Sequence, residues 1–176
     1  TAANNTAVGQ ASLAYNTTGT ANTSVGSVAL DANTTGDRNT AVGHESLGSN
    51  TTADNNTGVG YGALNANTTG TYLTAVGSGA LEVSVTGSNS TAVGFESLKA
   101  AVSTSAAYGN TAIGKSSGYN ITTGYNNTMI GEGSRGDTPS TNDQVVLGSN
   151  VQSVGGGYVT LGIGTSRTYV SVGATS

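Results

Sequence analysis

The chain has 176 residues, 35% apolar, 8% charged and 5% aromatic, with net charge −4 and no cysteine. Its five basic residues, Arg38, Lys99, Lys115, Arg135 and Arg167, form no stripe, which argues against nucleic-acid binding. No apolar run approaches the ~20 residues of a membrane span, and without cysteine there is neither disulfide nor thiolate chemistry.

Charged residues usually make up about 25% of a globular domain. Solubility here falls to Asn, Thr, Ser and Gly. So few charges and aromatics would also fit disorder, but a disordered chain keeps no aliphatic pair in register. From Asn5-Thr6-Ala7-Val8-Gly9 onward a 17-residue unit recurs, with its aliphatic at Val8, Val25, Val42, Val59, Val76 and Val93. After a three-residue insertion it continues at Ile113 and Ile130. A leucine follows in the first six units, at Leu13, Leu30, Leu47, Leu64, Leu81 and Leu98. A short fixed period with a glycine after every aliphatic is the pattern of a solenoid.

Within one unit, Thr6-Ala7-Val8 predicts a short strand and Gly9 a corner. Ser12-Leu13 is expected to open a second strand, and Asn16-Thr17-Thr18-Gly19 carries turn chemistry. A helix would need about ten residues free of such breakers. Parallel coils rise by ~4.8 Å, so eight coils predict a rod of ~40 Å. The Val/Ile rank and the Leu rank are both expected to form core ladders, each buried side chain contributing ~1.5–3 kcal/mol. That is a thin core against a backbone cost of ~1–2 kcal/mol per residue. The small ranks (Ser12, Ala29, Ser46, Ala63, Ala80, Ser97, and Ala7, Ser24, Ala41, Gly58, Ala75, Ala92) would let other chains approach closely. Burial between chains, in a homotrimer, is therefore expected.

The repeat then breaks in order. The turn is clean at 16–19, 33–36 and 67–70, and is lost at 99–109, where the insertion predicts a projecting bulge. The seventh unit carries Gly118 in place of Leu and shifts its bulk to Tyr119 and Ile121. The eighth leaves the pattern at Glu132-Gly133-Ser134-Arg135. From Asn142 the rhythm is plain alternation: Val145-Val146-Leu147, Tyr158-Val159-Thr160-Leu161-Gly162-Ile163 and Thr168-Tyr169-Val170-Ser171-Val172 read as strands. The expected division is a shaft over 1–131, a loop over 132–141, and a C-terminal β module over 142–176. That module would serve as tip and trimerisation unit and cap the open end of the solenoid.

No catalytic, cofactor or metal constellation is expected. His44 is the single histidine and sits at a variable repeat position. Glu45 and Glu96 share a repeat position but lie three coils apart, ~14 Å, too far for a glycosidase pair. Calcium-binding glycine repeats are missing. The Asn-x-Thr/Ser triplets, such as those at Asn16, Asn33, Asn50 and Asn67, read as turns and ladders before glycosylation sites. Arg135-Gly136-Asp137 reads as a chance tripeptide.

Units such as Asn39-Thr40-Ala41-Val42-Gly43-His44-Glu45-Ser46-Leu47 and Asn56-Thr57-Gly58-Val59-Gly60-Tyr61-Gly62-Ala63-Leu64 resemble repeats of bacteriophage tail-fibre proteins, especially of marine phages. The stretch from Asn142-Asp143-Gln144-Val145-Val146-Leu147-Gly148 to Ser176 looks like the segment upstream of an endosialidase-type intramolecular chaperone. In that family the chaperone aids trimerisation and cleaves itself off, which would place the cut near Ser176. The chain starts within a repeat with no visible signal peptide, fitting a mature product or a fragment of a longer fibre. The units also resemble the shorter head repeats of trimeric autotransporter adhesins, which form a left-handed parallel β-roll.

These resemblances imply an all-β parallel solenoid, homotrimeric, acting as a structural and adhesive tail-fibre segment outside the cell. The implied partners are the chain itself, a host cell-surface glycan or protein, and other virion tail proteins. Membrane insertion and enzymatic activity are not expected. Receptor contacts are sought where the repeat breaks: Tyr108, Arg135, Tyr158, Arg167 and Tyr169. One alternative is a cellular surface adhesin or extracellular filament subunit. Another is an ice-binding solenoid using the ladder Thr6, Thr23, Thr40, Thr57, Thr74 and Thr91. Ice binders usually present two Thr ranks on one strand; here the second rank is Val, assigned to the core.

Overall fold

The computed structural model describes residues 2–101 and 108–171. Among these residues there is no helix, and eleven strands follow one another. They are β1 (Thr6–Val8), β2 (Thr23–Val25), β3 (Thr40–Val42), β4 (Thr57–Val59), β5 (Thr74–Val76) and β6 (Thr91–Val93). Then come β7 (Thr111–Ile113), β8 (Thr128–Ile130), β9 (Val145–Leu147), β10 (Tyr158–Ile163) and β11 (Ser166–Ser171). All eleven form one sheet in chain order. The first ten are parallel, and β11 runs antiparallel to β10. The architecture is a parallel β-solenoid of about nine turns with a unit of about 17 residues.

Register is one-to-one: Thr40 faces Thr57, Ala41 faces Gly58 and Val42 faces Val59. The insertion leaves it intact, since Thr91 pairs with Thr111 and Val93 with Ile113. The expected bulge at 99–109 has residues 102–107 outside the described set.

The core corrects one of the two expected ladders. The Leu rank is inside: Leu30, Leu47 and Leu64 are 0% exposed, Leu81 and Leu98 1%, with Leu13 of the first coil packed against them. The Val/Ile rank is outside. Val8 is 58% exposed, Val42 36%, Val76 37%, Ile113 41% and Ile130 40%, while Val25, Val59 and Val93 are half-buried. The residue between Thr and Val points inward instead: Ala41, Ala75, Ala92, Ala112 and Ser24 are all 0% exposed. Side chains alternate along a strand, so Ala and Val cannot both face the lumen. The lumen is narrow. A Cβ added at Gly58 would lie 2.6 Å from Ser46 Oγ and 3.4 Å from Leu47 Cγ. Only a small residue fits opposite each leucine, so the small ranks fill the interior and are not seams for other chains.

The last coils confirm that pairing by exchange. Where Gly118 replaces Leu, the inward strand residue of the next coil becomes Met129, 1% exposed. A Cβ at Gly118 would sit 3.4 Å from the Met129 sulfur. The thioether reaches into the space the missing leucine leaves.

The expected second strand at Ser12-Leu13 is absent. Each Leu of the rank has left-handed backbone, from φ 48 at Leu30 to φ 56 at Leu64, a conformation costing an L-residue ~1–2 kcal/mol. It turns the Leu N–H along the rod, where it bonds the next coil: Leu47 N to Ala63 O, 2.9 Å, and Leu64 N to Ala80 O, 3.1 Å. Inter-coil bonding thus continues through a segment that is not β.

Two buried Asn ladders hold the turns. Asn22, Asn39 and Asn56 each donate Nδ2 to a turn carbonyl of the next coil, at 2.8 Å, to Gly36, Ala53 and Gly70. Asn33, Asn50 and Asn67 each donate Nδ2 to Oδ1 of the Asn one coil back, at 2.9, 2.9 and 3.1 Å. These buried amides are satisfied along the stack, so Asn33, Asn50 and Asn67 serve as ladder residues.

The coil does not stop at 131 or at 142. Gly133 N donates to Lys115 O at 2.9 Å, Arg135 bridges Gln152 in parallel, and β9 stacks on β8 in register. Residues 132–141 therefore follow the coil path. The departure comes at β10–β11, a hairpin paired from Tyr158–Ser171 to Ile163–Ser166, with β10 stacked in parallel on β9.

Candidate functional site

The outer sheet face is a regular surface that runs along all eleven strands. Thr and Val/Ile are two residues apart on each strand, so both ranks share it. The Thr rank runs without a gap from Thr6 through Thr23, Thr40, Thr57, Thr74, Thr91 and Thr111 to Thr128. Among the described residues no hydrogen bond joins these eight hydroxyls to the rest of the chain. The turn-region threonines behave differently: Thr17, Thr34, Thr51 and Thr68 each donate Oγ1 to a carbonyl one coil on, at 2.9–3.4 Å.

Towards the C-terminal end the Thr rank of this face gives way to Val on β9 and β10, while β11 adds Val170 together with Thr168 and Ser166. Val145 and Leu147 pair with Val159 and Leu161, and Val159 pairs with Val170. Paired residues share a face. The Thr rank therefore passes into Val145, Val159 and Val170, and the Val/Ile rank into Leu147 and Leu161. Leu161 is 39% exposed, Ile163 76% and Val170 49%. The alternation from Asn142 onward carries this signal, but alternation alone does not say which of its two sides faces out.

The five residues expected to contact a receptor are spread over the rod. Tyr108 is 40% exposed and precedes β7, three strands away from the hairpin. Arg135 occupies the Leu rank and is tied into the coil, donating Nη2 to Gln152 Oε1 at 3.3 Å. Arg167 donates Nη1 to the Gln152 carbonyl at 2.9 Å, so the two arginines meet at Gln152. Tyr158, 38% exposed, and Tyr169, 42% exposed, lie with Arg167 on the hairpin face opposite Leu161.

The residue after each corner glycine forms a third rank: Gln10, Ser27, His44, Tyr61, Ser78, Phe95, Lys115 and Glu132. His44 and Tyr61 stack, with ring centroids 5.5 Å apart and planes 13° from parallel. Lys115 reaches Glu132 at 3.1 Å. Beside this rank Lys99 Nζ contacts Glu96 Oε1 at 2.8 Å and Glu82 Oε2 at 3.1 Å. The Glu96 and then the Glu82 hydrogen bond hold the Lys99 ammonium above its ordinary pKa. On the opposite flank, Asp37 Oδ1 accepts Thr20 N at 2.7 Å and Thr20 Oγ1 at 3.0 Å. The Thr20 backbone bond is the main cause holding Asp37 below the usual carboxylate range.

Among the described residues no three His, Asp or Glu side chains gather to hold a metal, and no helix is long and apolar enough to cross a membrane. No protein-family model, curated protein or solved structure matches the chain.

Proposed function

We propose that the chain is a structural and adhesive segment of a three-chain extracellular fibre, of the tail-fibre kind its repeats resemble; the alternative within the same class is a cellular surface adhesin. The observation that carries this reading is the outer aliphatic file, one residue wide, running the length of the rod and broadening at Leu147, Leu161, Ile163 and Val170. It repeats every ~4.8 Å, so a partner meets it residue for residue only if it has the same rise. Copies of the chain lying side by side have that rise. The strip is ~10 Å by ~40 Å, or ~400 Å², about half of one partner's share in a stable two-chain interface. A ridge of that shape suits an axis shared by three chains better than a flat pair. The remaining surface, polar and repeated, would then face outward and bind by many weak contacts.

Light scattering of the chain, with and without mild SDS, tests this. A mass of three chains is expected. A stable monomer overturns the fibre reading.

A second reading, ice binding, draws on the eight unbonded Thr hydroxyls in register beside exposed Val methyls. Thermal hysteresis by a monomeric chain would favour it over the fibre.

A further inference from the structure

We propose that Tyr61, Ser78 and Phe95 form a slot for one ring of a neutral sugar, resting on the adhesive reading above. The three residues occupy the rank after the corner glycine on consecutive coils. Where two ring residues fall on adjacent coils of this rank they stack, as His44 and Tyr61 do at 5.5 Å and 13°. That stack covers one face of Tyr61. Among the described residues its other face is free of a ring partner, and the next ring of the rank is Phe95, two coils on. The level between carries only Ser78, followed by Gly79.

Two coil spacings amount to ~9.6 Å. A ring inserted at the Ser78 level would lie ~4.8 Å from each aromatic, within the ~4.5–7 Å range of ring packing. Tyr61 is 58% exposed and Phe95 49%, so both offer their surface to solvent. A pyranose presents C–H bonds to the two aromatic faces and hydroxyls at its rim.

The rim is provided for. A Cβ at Gly79 would lie 3.3 Å from Glu82 Oε2 and 3.5 Å from Glu96 Cγ, so the carboxylates stand beside the slot. Lys99 bridges them at 3.1 and 2.8 Å. All three side chains keep about a third or more of their surface in solvent. The carboxylates accept from vicinal hydroxyls and the ammonium donates to them. The triad carries one net negative charge, which selects an uncharged hexopyranose over a sialylated or sulfated one. Multiplied over copies in a fibre, one weak slot per chain becomes useful avidity.

The test is saturation-transfer NMR of the full chain with neutral gluco-, galacto- and manno-configured oligosaccharides at millimolar concentration, with a sialylated oligosaccharide as the charged comparison. We expect transfer from at least one neutral sugar and at least a tenfold loss of affinity in Phe95→Ser. Ser78→Tyr continues the stack and fills the slot. It is expected to abolish binding while circular dichroism and solution mass stay those of the parent. Transfer that survives Ser78→Tyr, no transfer from any neutral sugar, or preference for the sialylated sugar each overturns the slot. A trimer that binds no sugar overturns only the slot; a monomer that binds through Ser78 overturns only the three-chain reading.

Discussion

The backbone N–H of Asn56 donates to Oδ1 of Asn39, one coil earlier, at 3.0 Å, and both residues are 0% exposed. Asn39 also donates its own N–H to Asn22 Oδ1 at 2.8 Å and its Nδ2 to the Ala53 carbonyl at 2.8 Å. Through its backbone and its side chain together, Asn39 therefore joins three consecutive coils. Asn39→Ala would strand the buried Asn56 N–H, costing ~1–3 kcal/mol, and leave the Ala53 carbonyl with Asn50 Nδ2, which donates to it at 3.1 Å. A loss of about 1–3 kcal/mol is expected in urea unfolding.

Asn39→Asp keeps the acceptor but buries a charge against the Ala53 carbonyl. Burial raises the folded-state pKa above the unfolded ~3.9. The destabilisation is therefore full above the raised value and is relieved as pH falls through it. Unfolding midpoints at pH 7 and pH 4 measure this; a variant equally unstable at both would show that charge is not the cause.

Asp37 works in the opposite sense. Its folded pKa is held down, chiefly by the Thr20 backbone bond. Its contribution is present above the ordinary 3.8 and is lost as pH falls through the lowered folded value. Asp37→Asn retains an oxygen acceptor without the titration, so its acid limb of stability below pH ~4 should be shallower than the parent's. Acid titration followed by circular dichroism compares the two.

Val59→Asp combined with Val76→Asp places charges on the outer file without touching the lumen. The double variant is expected to remain a folded solenoid and to run as a single chain in light scattering. Trimers that persist would place the interface on another surface.

In that single-chain background the core assignment becomes measurable. Leu64→Ala should cost ~2–5 kcal/mol as a buried large-to-small change. Val42→Ala, on the solvent side, should stay within about 0.5 kcal/mol. Equal losses would return the Val rank to the core.

Gly60 has φ 132, and a Cβ there would lie 2.6 Å from the Gly77 carbonyl. Gly60→Ala combines a backbone region closed to L-residues with a clash against the neighbouring coil. A loss above about 3 kcal/mol is expected, read by thermal unfolding.

The period, the corner glycines and the Asn-Thr-Thr-Gly turns were legible by themselves, because in a solenoid each contact is to the same position one unit on. The coil axis, the parallel pairing and the survival of register across the insertion all follow from that repeat. Which side of a three-residue strand faces in was not legible. Thr-Ala-Val offers Val as the larger apolar choice, yet the lumen opposite Leu47 or Leu64 has room only for Ala, Gly or Ser, so size decided against hydrophobicity. One clue lay in the chain: Leu gives way to Gly118 one coil before Ala gives way to Met129, which ties the small rank to the Leu rank. The slot at Ser78 was also invisible to periodicity, since it consists of residues that differ at one repeat position. Repetition fixes what every coil shares; only stacking brings unlike side chains such as Tyr61, Ser78 and Phe95 into a row.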